Sequence, residues 1–253
     1  VRFVLVILVV LSLALCALGG LAEGIVRAGG YLARLWPPDL RYFPKLVPAI
    51  VDTLLMSLAG TTLAMLSAIP LSYFGSRDLV GNPVLYATTR FVMSVMRATP
   101  VLVLGIMFVA ALGMGMTAGI LGLWFHCTGA LGKFMSESLD AADKSVREAA
   151  IMDGASRWET YAYVLLPMQV NAYLSFYLYY IESNFRSAVV LGVVGAGGIG
   201  LELITVIGMF KYHRIGLIVL LVIAVALALD FLSRWVRGRF LKEYGDVSTT
   251  SAL

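Results

Sequence analysis

Between two apolar runs lies Ser145-Val-Arg-Glu148-Ala149-Ala150-Ile-Met-Asp-Gly154-Ala-Ser-Arg157-Trp-Glu-Thr-Tyr-Ala-Tyr-Val-Leu-Leu166-Pro167, most of it within the charged interruption from Glu137 to Glu159. The apolar runs, Met116 to Met135 before it and Tyr163 to Leu191 after it, are each longer than the ~18 residues that read as a membrane helix. The charged stretch is therefore a loop joining two spans. Within it, Ser145 followed three residues later by Glu148 has the pattern of a capping box opening a short helix. Ala149 and Ala150 keep one face small, Gly154 permits a bend, and Pro167 falls near the start of the next span, where a missing N–H matters least. A short helix of this kind, lying along the membrane surface, suits docking by a soluble partner.

Outward from this loop, four more apolar segments run from about Phe3 to Leu21, Leu46 to Phe74, Phe91 to Leu112 and Ile215 to Val236. The expected fold is all-α, a polytopic membrane helical bundle of about six transmembrane helices. Composition agrees: of 253 residues, 60% are hydrophobic and 13% charged, against about 25% charged in soluble domains. A water-soluble enzyme is excluded. The net charge of +4 reads as cations in cytoplasmic loops rather than as a nucleic-acid surface. Cys16 and Cys127 both lie in apolar segments, so neither a disulfide framework nor a thiolate site is expected. With His126 and His213 alone, and no H-E-x-x-H pattern, no metal site is expected either.

Three regions follow: 1–45, an N-terminal transmembrane helix with an extracytoplasmic connector; 46–242, the membrane core with its cytoplasmic loop 137–160; and 243–253, a C-terminal tail. The first apolar segment has two readings, a signal peptide or a retained helix, and the membrane character of the chain after it favours the helix. Counting cations sets the orientation. With the amino terminus inside, cytoplasmic segments hold Arg2, Arg77, Arg90, Lys133, Lys144, Arg147, Arg157, Arg234, Arg237, Arg239 and Lys242; outside lie only Arg27, Arg34, Arg41, Lys45, Lys211 and Arg214. The positive-inside rule then places both termini in the cytoplasm.

The residues Glu148, Ala149, Ala150, Gly154, Leu166 and Pro167 resemble the EAA motif of ABC importer permeases. Toward the carboxyl end, Tyr-Tyr-Ile-Glu182-Ser-Asn184-Phe-Arg186-Ser187-Ala188-Val-Val-Leu191-Gly192-Val-Val-Gly195-Ala196-Gly197-Gly198-Ile199-Gly200 is similar to the phosphonate/phosphite branch of these permeases, as are Arg97-Ala-Thr-Pro100, Gly113-Met-Gly115 and Thr128-Gly-Ala-Leu-Gly132-Lys133. The chain departs from that branch at Met116, where a proline is usual, and at Phe185, where an aliphatic residue is usual. The resemblance implies a type I ABC importer permease fold in a bacterial cytoplasmic (inner) membrane, with alternating access for phosphonate, phosphite or a related phosphorus oxyanion. It also implies a second copy of the chain completing the pore, two ATPase subunits carrying ATP and Mg, and an extracytoplasmic solute-binding protein. The ATPase-coupling residues would be Glu148, Ala149, Ala150, Gly154, Arg157 and Pro167.

Several residues have competing readings. Gly195, Gly197, Gly198 and Gly200 formally satisfy G-x-G-x-x-G, but they follow a membrane span rather than a strand. They read as a non-helical turn or gate at the outer mouth, or as a close-packed turn without a gating role. Glu182 and Arg186 are spaced i, i+4 and lie in the outer half of their span, where charges face a bundle interior or a wet cavity. They form either a structural ion pair or, with Asn184 and Ser187, part of a substrate pathway. Arg97, one or two turns into its span, either snorkels at the cytoplasmic boundary or joins that pathway. Asp52 and Asp230 read as interfacial. Gly132-Lys133 is followed by Phe134 and lacks the upstream glycine of a P-loop, so no ATP or other cofactor is expected on this chain and it is no enzyme. The alternatives are an ABC permease for another solute such as an amino acid, or an ATP-independent carrier or channel, for which the EAA-like loop has no use.

Overall fold

The helix Met116–Asp140 is the axis of the bundle, and its sequence explains why. Its buried positions include Ala118, Gly119, Gly122, Gly129, Ala130 and Gly132, and small residues let neighbouring helices approach closely. A Cβ on Gly60 would stand 2.9 Å from that of Leu123, and one on Gly129 only 2.6 Å from the Met93 carbonyl oxygen. The structure, a computed structural model, describes residues 29–240. Its helices are α1 (Phe43–Gly75), α2 (Pro83–Ala98), α3 (Val101–Leu112), α4 (Met116–Asp140), α5 (Lys144–Met152), α6 (Val170–Leu191), α7 (Gly198–Gly208) and α8 (Tyr212–Phe240). Helices α1, α2, α3 and α6 all pack on α4.

Protein covers α4, which carries glycines, His126 and Lys133 within its length. Among the described residues, the two single helices long and apolar enough to cross a membrane are Leu40–Gly75 and Tyr212–Arg239. Two bent pairs meet the same requirement together: α2 with α3 at 86°, and Val170–Ala196 with α7 at 58°.

The first of these bends falls inside the expected segment Phe91 to Leu112, which is not one continuous helix. Helix α2 begins at Pro83, where Asn82 Oδ1 accepts from the Val84 N–H at 2.9 Å. It ends at Ala98 because Pro100 forces the preceding Thr99 into extended backbone, at ψ 121. The polar opening turns of α2 hid the helix inside a stretch that reads as loop. Part of the connector is also helical, at 29–35, and a 3-10 turn at Leu40–Tyr42 leads directly into α1. The expected segment Phe3 to Leu21, with Cys16, and the tail 243–253 lie outside the described residues.

Helix α1 has 33 residues and is roughly 50 Å long, so its two ends mark the two ends of the bundle. At one, the Tyr42 hydroxyl donates to Glu202 at 2.9 Å. At the other, Gly75 leads into a loop held by Asp140. A buried core connects them, through Leu46, Ile199 and Ile218, then Met56, Leu123 and Leu191, then Leu131, Met135 and Tyr173, and finally Leu79, Leu139, Tyr161 and Leu165.

Candidate functional site

Three groups of side chains stand out, one at the Asp140 end, one along α6 and one at the α6–α7 turn. At the Asp140 end, α5 is a short helix of the expected kind, but its cap differs from the sequence reading. Asp143, not Ser145, is the N-cap, its carboxylate accepting from the Ser145 N–H at 2.9 Å, which holds the carboxyl below its ordinary pKa. A capping box does form, one turn structure later: Ser156 accepts from the Glu159 N–H, and Glu159 accepts from the Ser156 N–H at 2.8 Å. The Ser156 hydroxyl and then the Ser156 N–H, both against the Glu159 carboxyl, hold its pKa below the ordinary value. Between the two caps, Gly154 adopts φ +90, a left-handed conformation that glycine takes without strain.

What anchors α5 was not singled out in the sequence. Arg147, buried, reaches Asp78 at 2.7 Å. Beside it, Asp140 accepts from Ser76 Oγ at 2.6 Å and from the Arg77 N–H at 3.0 Å, and pairs with Arg90 at 3.1 Å. Arg90 also donates to the Gly75 carbonyl at 2.8 Å and reaches Glu137 at 3.2 Å. Tyr161 completes the anchor by donating to the Ile69 carbonyl at 2.7 Å, packed beside Tyr73 and Trp158. Charge alone marked these residues as loop. The partners are far apart in sequence, so no spacing rule reveals the pairs.

With its roots fixed, α5 leaves Glu148 and Ala149 exposed, Ala150 partly so, and Met152 is 84% exposed. Arg157 faces the other way, close over Gly81. Pro167 sits exposed in the first turn of Leu166–Met168, after a π-helical turn at Thr160–Leu165.

Along α6, Arg186 donates to Glu182 at 2.7 Å, with the Glu182 side chain 12% and the Arg186 side chain 53% exposed. Asn184 is directed elsewhere. It is buried, donating to Thr61 Oγ1 at 2.8 Å and lying against Cys127 Sγ at 2.9 Å. Asn184 and Arg186 are thus not brought together: an intervening residue on an α-helix points to a different side, and here that side is the α1–α4 core. Ser187 donates to the Ser183 carbonyl at 3.2 Å and borders a small cavity of about 120 Å³ with Val101 and Val190. Arg97 lies near the end of α2, about 21 Å from its start at Pro83 and beside the break, and its guanidinium lies 5.3 Å over the Phe134 ring. Phe134 in turn stacks on Phe176 of α6 at 5.8 Å. Asp52 is exposed, and Asp230 pairs with Arg234 one turn on.

At the α6–α7 turn, Gly195, Gly197 and Gly198 have φ of +104, +90 and +66. The turn is tied to α1 by Thr53, whose Oγ1 accepts from the Ile199 N–H at 2.9 Å while donating to the Ala49 carbonyl. It is tied to the α3–α4 turn by the Gly115 N–H, which donates to the Gly195 carbonyl at 3.0 Å. Gly200 packs backbone to backbone on α6: a Cβ there would stand 2.0 Å from the Val189 carbonyl oxygen.

Residues 60–242 match the family described as "Binding-protein-dependent transport system inner membrane component". The chain is 31% identical to the phosphite transport system permease protein PtxC of Stutzerimonas stutzeri, over 87% of this chain and 80% of that protein. It is 33% identical to the phosphate-import permease protein PhnE of Mycolicibacterium smegmatis, over 86% of this chain and 41% of that longer protein. Among solved structures, a chain of the inward-facing MetNI methionine ABC transporter superposes with a TM-score of 0.69 at 19% identity, covering 79% of this chain and 98% of that one. The helical bundle, its α5 loop and these matches agree, and the chain belongs to the family of binding-protein-dependent transport system inner membrane components.

Proposed function

We propose that the chain is the membrane-spanning subunit of an ATP-driven ABC importer for phosphonate, phosphite or a related phosphorus oxyanion. The observation that carries the coupling part is α5: a short helix whose Glu148, Ala149 and Met152 are exposed, held to the bundle by the ion pair of the buried Arg147 with Asp78. A rigidly rooted surface helix transmits a push from a soluble subunit; a floppy loop would absorb it. Two ATPase subunits, which hold ATP and Mg, dock on α5 of two copies of the chain, and a solute-binding protein delivers the ligand to the opposite side. The Asp140 end and both termini then face the cytoplasm. Closure of the ATPase pair draws the α5 helices together and opens the pathway outward, which requires two bundle arrangements that differ by only a few kcal/mol.

The phosphorus chemistry rests on the phosphite and phosphate permeases among the relatives. Arg186 suits it. One of its donors is engaged by Glu182 and the side chain is half exposed, so other guanidinium N–H groups remain to grip an oxyanion bidentately. The Gly195–Gly200 turn is read as the outer gate of that path.

The test is uptake into proteoliposomes holding the complete transporter, with binding protein and ligand on one side and ATP on the other. Phosphite or phosphonate uptake that needs ATP and falls at least about tenfold in Glu148→Arg is expected, since reversing a charge at a docking contact removes complementarity. Uptake without ATP, or full uptake by the variant in an intact complex, would contradict the coupling assignment. Uptake of an unrelated solute alone would contradict the oxyanion.

A further inference from the structure

The end of the bundle away from Asp140 carries a site that neither α5 nor the glycine turn uses. A cavity of about 600 Å³ opens there between the segment before α1 and the start of α8, lined by Arg34, Asp39, Lys211, Tyr212, His213 and Arg214. Asp39 is the one acid in that lining, and its carboxylate is engaged by Arg214 at 3.2 Å. Arg34 and Lys211 have no acidic partner among the described residues. The cationic heads are held by rings: Arg214 lies 4.4 Å over Tyr42 and Arg34 5.9 Å over Tyr212. His213 is fixed through Nδ1 on the Pro37 carbonyl at 2.9 Å.

Phe210, in the same lining, is 74% exposed, and near the lining in the chain Trp36 is 70% and Leu40, beside Asp39, 69% exposed. Phe210 adopts φ +55, a left-handed backbone that a bulky residue takes only under strain and that clusters at functional positions. That turn places Phe210 beside Lys211 at the mouth of the cavity. A cationic hollow beside exposed aromatic and aliphatic groups, at the end of a membrane bundle, fits a ligand with phosphate oxygens at its head and an apolar body.

We propose that this cavity binds a phosphate group, presented by an anionic phospholipid. The recognised chemistry is the phosphate oxygens, which a free phosphorus oxyanion shares, and the two sources are separated as follows. The intact transporter complex is delipidated in detergent, titrated with phosphatidylglycerol, and its bound lipids counted by native mass spectrometry. In parallel, inorganic phosphate is titrated calorimetrically without lipid. Arg34 and Lys211 are exposed, so the double variant R34Q/K211Q is expected to melt as the wild type does. Loss of one retained phosphatidylglycerol, with affinity down roughly tenfold or more, supports the lipid site. Phosphate binding that the same variant abolishes supports the site with a free anion as its ligand. D39N, which removes the competing carboxylate, is expected to tighten either ligand several-fold. Wild-type binding of both probes by R34Q/K211Q, no binding by the wild type, or unchanged affinity in D39N would overturn the proposal.

Discussion

Arg147 is 8% exposed and its Nη2 lies 2.7 Å from Asp78 Oδ2, so α5 hangs from the loop after α1 by an ion pair. Breaking a fully buried pair costs about 3–5 kcal/mol. Here Asp78 keeps a third of its side chain in solvent, so Arg147→Ala is expected to cost about 2 kcal/mol, read as a lowered melting temperature. R147M/D78N, which leaves neither charge stranded, is expected to recover much of that loss while uptake stays low. Recovery of full uptake in the double variant would mean that the pair stabilises without orienting α5.

Gly198→Ala is expected to destabilise the α6–α7 turn. Its φ of +66 disfavours any Cβ, and the new methyl would stand 2.3 Å from Thr53 Oγ1, displacing the group that accepts from the Ile199 N–H. The two effects together predict a loss of about 1–3 kcal/mol, checked by thermal melting. Removing the hydroxyl as well, in T53A/G198A, is expected to restore only part of it, because the backbone strain persists.

Asn184 and Arg186 are expected to separate cleanly. Asn184→Ala removes hydrogen bonds to Thr61 and Cys127, each worth about 0.6 kcal/mol within a membrane bundle, and is expected to lower the melting temperature slightly with little change in uptake. Arg186→Gln leaves the Glu182 carboxylate, 12% exposed, without its cation, so it is expected to lower the melting temperature modestly and to reduce uptake severalfold at low ligand concentration. The reverse pattern would move Asn184 into the pathway and Arg186 out of it.

Ser156→Ala is expected to raise the Glu159 pKa toward the ordinary glutamate range, because bonds from Ser156 are what depress it. The sign for stability follows. A depressed carboxyl binds fewer protons in the folded state, so the stabilisation by this cap is present at neutral pH and lost as pH falls through the folded pKa. NMR titration of the Glu159 carboxyl in both proteins checks the direction.

Much of this fold was legible. Long apolar runs with few charges leave little but membrane helices, Gly154 falls at the left-handed turn between two helices, and Pro167 falls at the start of one. Where the reading failed, a local rule met a competitor. Ser145 and Glu148 had the spacing of a capping box, but Asp143 stands two residues earlier and caps better from there. Phe91 to Leu112 read as one segment because apolarity ignores Pro100, beside which the chain bends by 86°. The Asp140 cluster was illegible for another reason: Arg90, in the middle of α2, meets Ser76 and Asp140 only because the ends of α1 and α4 lie against it, a fact of packing that no single window contains.

The most direct test of the account is a crosslink from α5 to the ATPase subunit. Ala149→Cys is made with Cys16 and Cys127 replaced by alanine, and short bifunctional reagents are applied to the assembled transporter with and without ATP. A crosslink from position 149 to the ATPase, blocked by Glu148→Arg, is the expected result. An assembled, transporting complex in which position 149 reacts freely with solvent reagents and never joins the ATPase would contradict it.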